Sequence, residues 1–255
     1  MKRTRIALTF GLAALAGFVL AAPARADIYM KQRTHTDAFQ MMGKSQPAKD
    51  STAVIWLTES MARIDHDEGM STLLAADKKI LYMIDHNKKQ YAEMPLDFDK
   101  MMQEAAGEDA EAKEAMAKMP GFMKNMMQGM SAKVTDTGET RTINGWHCRK
   151  YLVEMNMGMA GTTSSESWAT EDLKIDYLKY FTAASAMMAR MPGFENIIQE
   201  MRKIKGFVVY QTAKAKMMGG EVGSTTELLE ASEKAAPAGT YDLPAGYKKV
   251  KAIQG

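Results

Sequence analysis

Residues 116–130 read MAKMPGFMKNMMQGM and residues 188–201 read MARMPGFENIIQEM, within a chain that holds 25 methionines. A thioether is soft and polarizable, so the clusters have three chemical meanings: Cu(I) ligation, an adaptable apolar surface, or core filling. The two stretches agree at MA(K/R)MPGF and again, after a slip of one residue, at N(M/I)(M/I)Q-x-M. Ile197 and Ile198 thus stand where Met126 and Met127 stand in the other copy. Isoleucine has no donor atom, so what the copies share is apolar surface rather than sulfur. Phe194, Ile197, Ile198 and Met201 fall at i, i+3, i+4 and i+7, one face of a helix, and Phe122, Met126, Met127 and Met130 form a similar stripe. With Met119 and Met191 at the Met-Pro corners, and Met155 and Met157 in a following strand, these twelve residues are the candidate lining of an apolar cavity. A core in which Met replaces Leu is the plain alternative.

The metal reading rests on MNMGM, where Met155, Met157 and Met159 would project from one face of a strand and offer thioethers to copper. Against it, His35, His66, His86 and His147 are scattered, with no pair at ligand spacing. No cofactor is expected. A phosphate-binding Gly-rich loop, H-E-x-x-H, C-x-x-C and G-x-S-x-G are all missing from the sequence. Asp65, Asp67 and Glu68, and the acids from Glu104 to Glu114, read as turn residues and a solvated helix face rather than a catalytic pair. The single cysteine, Cys148, excludes an intrachain disulfide. It reads as a small buried hydrophobe, because its neighbour His147 points to the opposite face of the strand and cannot serve it as a base. The protein is expected to be no enzyme.

The elements that must position the methionines are mostly strands. IYMKQRTHTDAFQMM begins the series, and STAVIWLTE, SMARIDHD, MSTLLAAD, KKILYMIDH and KKQYAEMP follow at short, regular spacing. They are roughly alternating and separated by turn residues, as in an antiparallel meander. From Asp97, a plausible N-cap, the run FDKMMQEAAGEDAEAKEAMAKM is helical in composition and stops at Pro120. Strand patterns return at SAKVTDTGETRTINGWHCRKYLVEM and TTSSESWAT, where Trp146 and Trp168 pack the sheet. A second helical tract covers about 175–204. GFVVYQTAKAKM, VGSTTELLEASE and TYDLPAGYKKV close the chain as strands. The order predicts one curved antiparallel sheet with helices on one face.

The chain begins with Lys2, Arg3 and Arg5, an apolar run, and the small-residue site Ala24-Arg25-Ala26. This is a secretory signal peptide with cleavage expected after Ala26. The leader carries four basic residues and no acid, so its loss turns the formal charge from +2 into −2, which gives no electrostatic footprint for nucleic acid. The expected mature unit, 27–255, is a single periplasmic domain with helical insertions at about 97–130 and 175–204 and no stable membrane span.

SMARIDHDEG, KKILYMIDHNKKQYAEMP, TRTINGWHCRKY, ESWATEDL, GFVVYQT and YDLPAGYKKV, in this order, resemble an uncharacterised family of exported bacterial proteins, a domain-of-unknown-function group. That group is similar in pattern to the lipoprotein carriers LolA and LolB. The resemblance implies an α+β, mainly β fold, a curved antiparallel half-barrel with Met-rich helices on its concave face, and a cavity for acyl chains. It transfers no functional residue. The resulting expectation is a periplasmic, non-enzymatic protein that binds a lipid or other apolar ligand between sheet and helices. A periplasmic copper-binding protein and a structural or partner-binding envelope protein stand as alternatives.

Overall fold

The computed structural model describes residues 27–41, 43–96, 129–158, 161–173, 194–217 and 220–253. Most of them form strands: β1 (Asp27–Thr36), β2 (Phe39–Met41), β3 (Lys44–Gln46), β4 (Lys49–Leu57), β5 (Met61–His66), β6 (Met70–Ala75), β7 (Ile80–Asp85) and β8 (Gln90–Pro95). After them come β9 (Ser131–Ile143), β10 (Trp146–Asn156), β11 (Thr162–Thr170), helix α1 (Phe194–Met201), β12 (Phe207–Met217), β13 (Gly220–Lys234) and β14 (Lys248–Val250).

Twelve strands form one open sheet in the order β14-β8-β7-β6-β5-β4-β1-β13-β12-β11-β10-β9, and β2 and β3 form a separate hairpin. Two five-strand meanders, β4–β8 and β9–β13, flank β1, which pairs with β4 on one side and β13 on the other. The pairing is antiparallel throughout except for the short parallel contact of β14 with β8. Bulges interrupt β1/β13 at Lys31–Gln32, β9/β10 at Arg149–Tyr151 and β11/β12 at Trp168–Ala169. Each bulge bends its strand and adds twist, which gives a sheet of this width its curvature.

Turn chemistry follows the sequence closely. Lys79, Lys89 and Asn144 occupy the left-handed region with φ of 53°, 50° and 50°, each just before a strand or at a hairpin tip. Gly206 needs its φ of 85° for a second reason: a Cβ there would lie 2.1 Å from the carbonyl oxygen of Thr170.

Register fixes which side chains share a face, because residues paired across an antiparallel ladder point the same way. Call face A the side carrying Ile28, Met30, Ile55, Tyr151 and Val153, and face B the side carrying Tyr29, Trp56, Arg63, Leu73 and Tyr82. One buried cluster gathers Ile28, Met30, Cys148, Trp168, Phe207, Val209 and Leu228, and a second joins Val134, Tyr151, Val153, Ala169 and Ile204. The third lies on face B, where Leu73, Ala75, Tyr82 and Ile84 are covered by Tyr241, Leu243 and Tyr247 of the C-terminal segment.

That segment departs from expectation. TYDLPAGYKKV forms a strand only at 248–250, and residues 235–247 cross face B as an irregular strap. Pro237, Pro244, Gly239 and Gly246 deny it a ladder, so apolar contacts and side-chain bonds hold it instead. The expected helix over 97–130 lies outside the described residues, apart from its last two positions, which are irregular. Of the tract 175–204, residues 194–201 are helical.

Candidate functional site

Face A of β4–β8 is the one large apolar surface that no described element covers. Two rows run across it in register. Ile28, Leu57, Ala62, Leu74, Leu81 and Met94 make the first, and Met30, Ile55, Ile64, Thr72, Met83 and Ala92 the second. Near β1 these rows merge into the first buried cluster through Ile28, Met30, Ile55 and Leu57. Beyond β4, Ile64, Leu74 and Leu81 are only half-buried, and Met83 and Met94 are each 38 % exposed. Among the described residues none of these five joins a packed cluster.

The next positions along the strands are mixed, with Gln32, His66, Asp85 and Gln90 interleaved with Ala53 and Met70. Across the other meander and on through β1 to β4, face A carries the row Tyr151, Ser167, Gln211, Thr226, Thr34 and Ser51, in which Gln211 donates to Ser167 Oγ at 2.9 Å and the hydroxyls of Thr34 and Thr226 lie 3.1 Å apart. Face A therefore grades from apolar to polar along the strands, the profile that suits an amphiphile.

The residues behind this surface carry a signal that alternation misses. In β6 and β7, Leu73, Ala75, Tyr82 and Ile84 point to face B while Leu74, Leu81 and Met83 point to face A. Unbroken runs such as ILYMI belong to strands with apolar material on both sides. Reading these strands as roughly alternating hid Ile64, Leu74, Leu81, Met83 and Met94.

The sequence-derived candidates lie elsewhere or beyond view. Met119, Phe122, Met126, Met127, Met159 and Met191 are outside the described residues, as is the side chain of Phe194. Met155 on β10 and Met201 at the end of α1 both pack against the second cluster, with Val134, Tyr151 and Val153, so the C-terminal end of α1 lies on face A. Ile197 and Ile198 are buried, 8 % and 9 % exposed. Met130 and Met157 are half-buried in irregular segments. Strand β10 ends at Asn156, and the amide of Met157 donates to the carbonyl of Gly161 in a turn. Met157 thus lies beyond the strand that carries Met155, and Met159 lies outside the described residues.

Face B holds a polar chain with the residue types of a hydrolase. Ser71 Oγ lies 2.5 Å from Asp65 Oδ1 and 2.7 Å from His86 Nε2, and His86 Nδ1 lies 3.0 Å from Tyr247 Oη. Proton counting decides its role. Asp65 accepts from both Ser71 and Arg63 Nε, so Ser71 takes its bond from His86 Nε2–H, and in the neutral ring Nδ1 accepts from the Tyr247 hydroxyl. Arg63 also donates to Ser71 Oγ at 3.4 Å, which saturates the hydroxyl, and Ser71 is 2 % exposed. A serine that donates to a carboxylate and accepts from its histidine is no activated nucleophile. The chain instead grips the strap at both ends, through Tyr247 and through Arg63 Nη1 to the carbonyl of Thr240 at 3.3 Å.

Cys148 is 2 % exposed, donates to the carbonyl of Trp146, and burial pushes its thiol up. His147 faces away and contacts Asp172. Two cavities lie off the apolar rows. One of about 520 Å³ separates Trp56, Arg63 and Asp65 from the strap, and one of about 560 Å³ sits at the Asn156 end of β9–β13 among Lys133, Lys214, Lys216, Glu154 and Glu221. No helix among the described residues is long and apolar enough to cross a membrane.

The fold is thus a mainly β, curved open antiparallel sheet. The chain belongs to the family described as Domain of unknown function (DUF4412), which matches residues 41–247. Among curated proteins none matches it. Two solved structures similar to it are LprF from Mycobacterium bovis and a domain from Vibrio parahaemolyticus whose name refers to outer membrane lipoprotein sorting. LprF is 10% identical, with a TM-score of 0.29 over 86% of this chain and 90% of that one. The Vibrio domain is 6% identical, with a TM-score of 0.32 over 85% and 89%.

Proposed function

We propose that this protein is a non-enzymatic periplasmic binder of an amphiphile, a lipid or lipid-modified molecule, whose apolar part lies on face A of β4–β8. The observation that carries the reading is the pair of apolar rows ending in half-exposed Leu74, Leu81, Met83 and Met94, bordered along the strands by Gln32, His66 and Gln90. Strands with apolar side chains on both faces need something on both, and the strap covers only face B. Methionines at 83 and 94 suit a surface that adapts to ligands of varied shape. The methionine-rich tracts 97–130 and 175–204, with Met119, Phe122, Met126, Met127 and Met191, are the proposed second wall of the site, and α1 is its anchored end.

Native mass spectrometry of the exported protein, purified without detergent, tests this. A solvent-extractable mass in the lipid range is the expected result, and Leu81→Gln/Met83→Gln should lose it. A protein that carries no lipid and takes up no single-chain phospholipid on titration refutes the reading.

A further inference from the structure

The two ends of the open sheet are protected differently. Strand β14 is three residues long and carries Lys248 and Lys249, which suffices to blunt an edge. At the other end β9 runs for 13 residues, and although the bulge between Asp136 and Thr140 interrupts it, the regular stretch from Ser131 to Asp136 is a template for another strand. Its outward N–H groups at Ala132 and Val134 do not face open solvent. Asn196 Oδ1 of α1 accepts from Ala132 at 3.0 Å, and Glu200 Oε2 accepts from Val134 at 2.8 Å.

The match is geometric. Alternate amides on one side of a strand are about 6.8 Å apart, and side chains at i and i+4 of a helix are neighbours about 6 Å apart. The helix thus presents two acceptors where a neighbouring strand would present two carbonyls. Lys203 Nζ holds Glu200 through its other oxygen at 2.5 Å, and this ion pair, with the bond from Val134, keeps the Glu200 carboxyl below its ordinary range. Met201 and Ile204 fasten the helix end to the second cluster.

We propose that α1 is a surrogate strand guarding a latent pairing edge, and that the partner which fits the edge is β9 of a second copy of this chain. With Ala132 and Val134 facing outward, a two-fold antiparallel register places Val134 opposite Val134, Ala132 opposite Asp136, and Lys133 opposite Thr135. This register sets no like charges directly opposite one another and keeps the valines on the apolar face. The register one step away would set Lys133 against Lys133, which repulsion disfavours.

The test is the sedimentation of full-length mature protein carrying Asn196→Ala and Glu200→Ala, singly and together. Wild type is expected to be a monomer. The double variant should dimerise with an association constant on the order of a hundredfold higher, since four uncapped N–H groups per dimer regain partners. Glu200→Gln keeps an acceptor and should stay monomeric, which separates the hydrogen bond from the charge. Adding Ala132→Pro to the double variant removes an outward N–H that β10 does not use, and should restore the monomer with the fold intact. Circular dichroism reports folding, and the single Glu200→Ala protein is read in the same way if the double variant does not fold. A folded guard variant that remains monomeric, or a dimer indifferent to Ala132→Pro, overturns the proposal.

Discussion

Leu73 and Leu74 are chain neighbours of identical chemistry on opposite faces of β6, so truncating each in turn weighs the two faces against each other. Leu73 is 2 % exposed in the cluster that Tyr241, Leu243 and Tyr247 close. Its replacement by alanine removes buried methyl groups and leaves a cavity that strand and strap cannot collapse into, at a cost of about 3–4 kcal/mol. Leu74 is half-buried between Ala62 and Leu81, and no described cluster includes it. Its truncation exposes less new surface, leaves no sealed void, and should cost about 1 kcal/mol. Urea denaturation followed by circular dichroism measures both. An environment-sensitive apolar dye, titrated into the folded proteins, should bind Leu74→Ala several-fold more weakly than wild type while Leu73→Ala binds normally. If Leu74→Ala costs as much as Leu73→Ala and leaves dye binding unchanged, face A is a closed core and the functional reading fails.

Three further outcomes follow from single groups. Asp136 beside Arg149, Asp172 under the amide of His147, Glu200 beside Lys203 and Glu227 beside Asn144 and Arg33 all have carboxyls held below their usual range. Groups with depressed folded-state values contribute stability above the ordinary carboxylate range and lose it as pH falls through the folded value. The urea midpoint should therefore be level near neutrality and drop below about pH 4, less steeply in Glu227→Gln. Lys79→Gly and Lys89→Gly each relieve a left-handed lysine, and should each gain about 0.5–1 kcal/mol, or a melting temperature about 2 °C higher by calorimetry. Because burial raises the Cys148 thiol, it should resist a disulfide-exchange reagent at pH 8 until denaturant is added; rapid labelling of the native protein would contradict its placement.

The strand series was legible because its punctuation is local. Gly69 and Lys79 end turns between short β-rich runs, and β4 through β8 fall where those runs lie. The burial of Cys148 followed from a lone cysteine in a strand pattern, and the apolar stripe on α1 followed from Ile197, Ile198 and Met201 at helical spacing. The strap was misread because YDLPAGYKKV has strand composition, whereas its structure depends on Leu73, Tyr82 and Ile84 waiting on face B to receive Tyr241, Leu243 and Tyr247.

The sequence by itself determined the β-rich class, the meander, the turns and the family, since periodicity, turn residues and motif order are properties of neighbouring positions. Only the tertiary structure decided which of two apolar faces the strap would cover, that β1 would join the two meanders, and that Asn196 and Glu200 would reach Ala132 and Val134 across more than sixty residues. Those outcomes depend on register: pairing sets the face of each side chain, and a slip of one residue would exchange the two sides of the sheet.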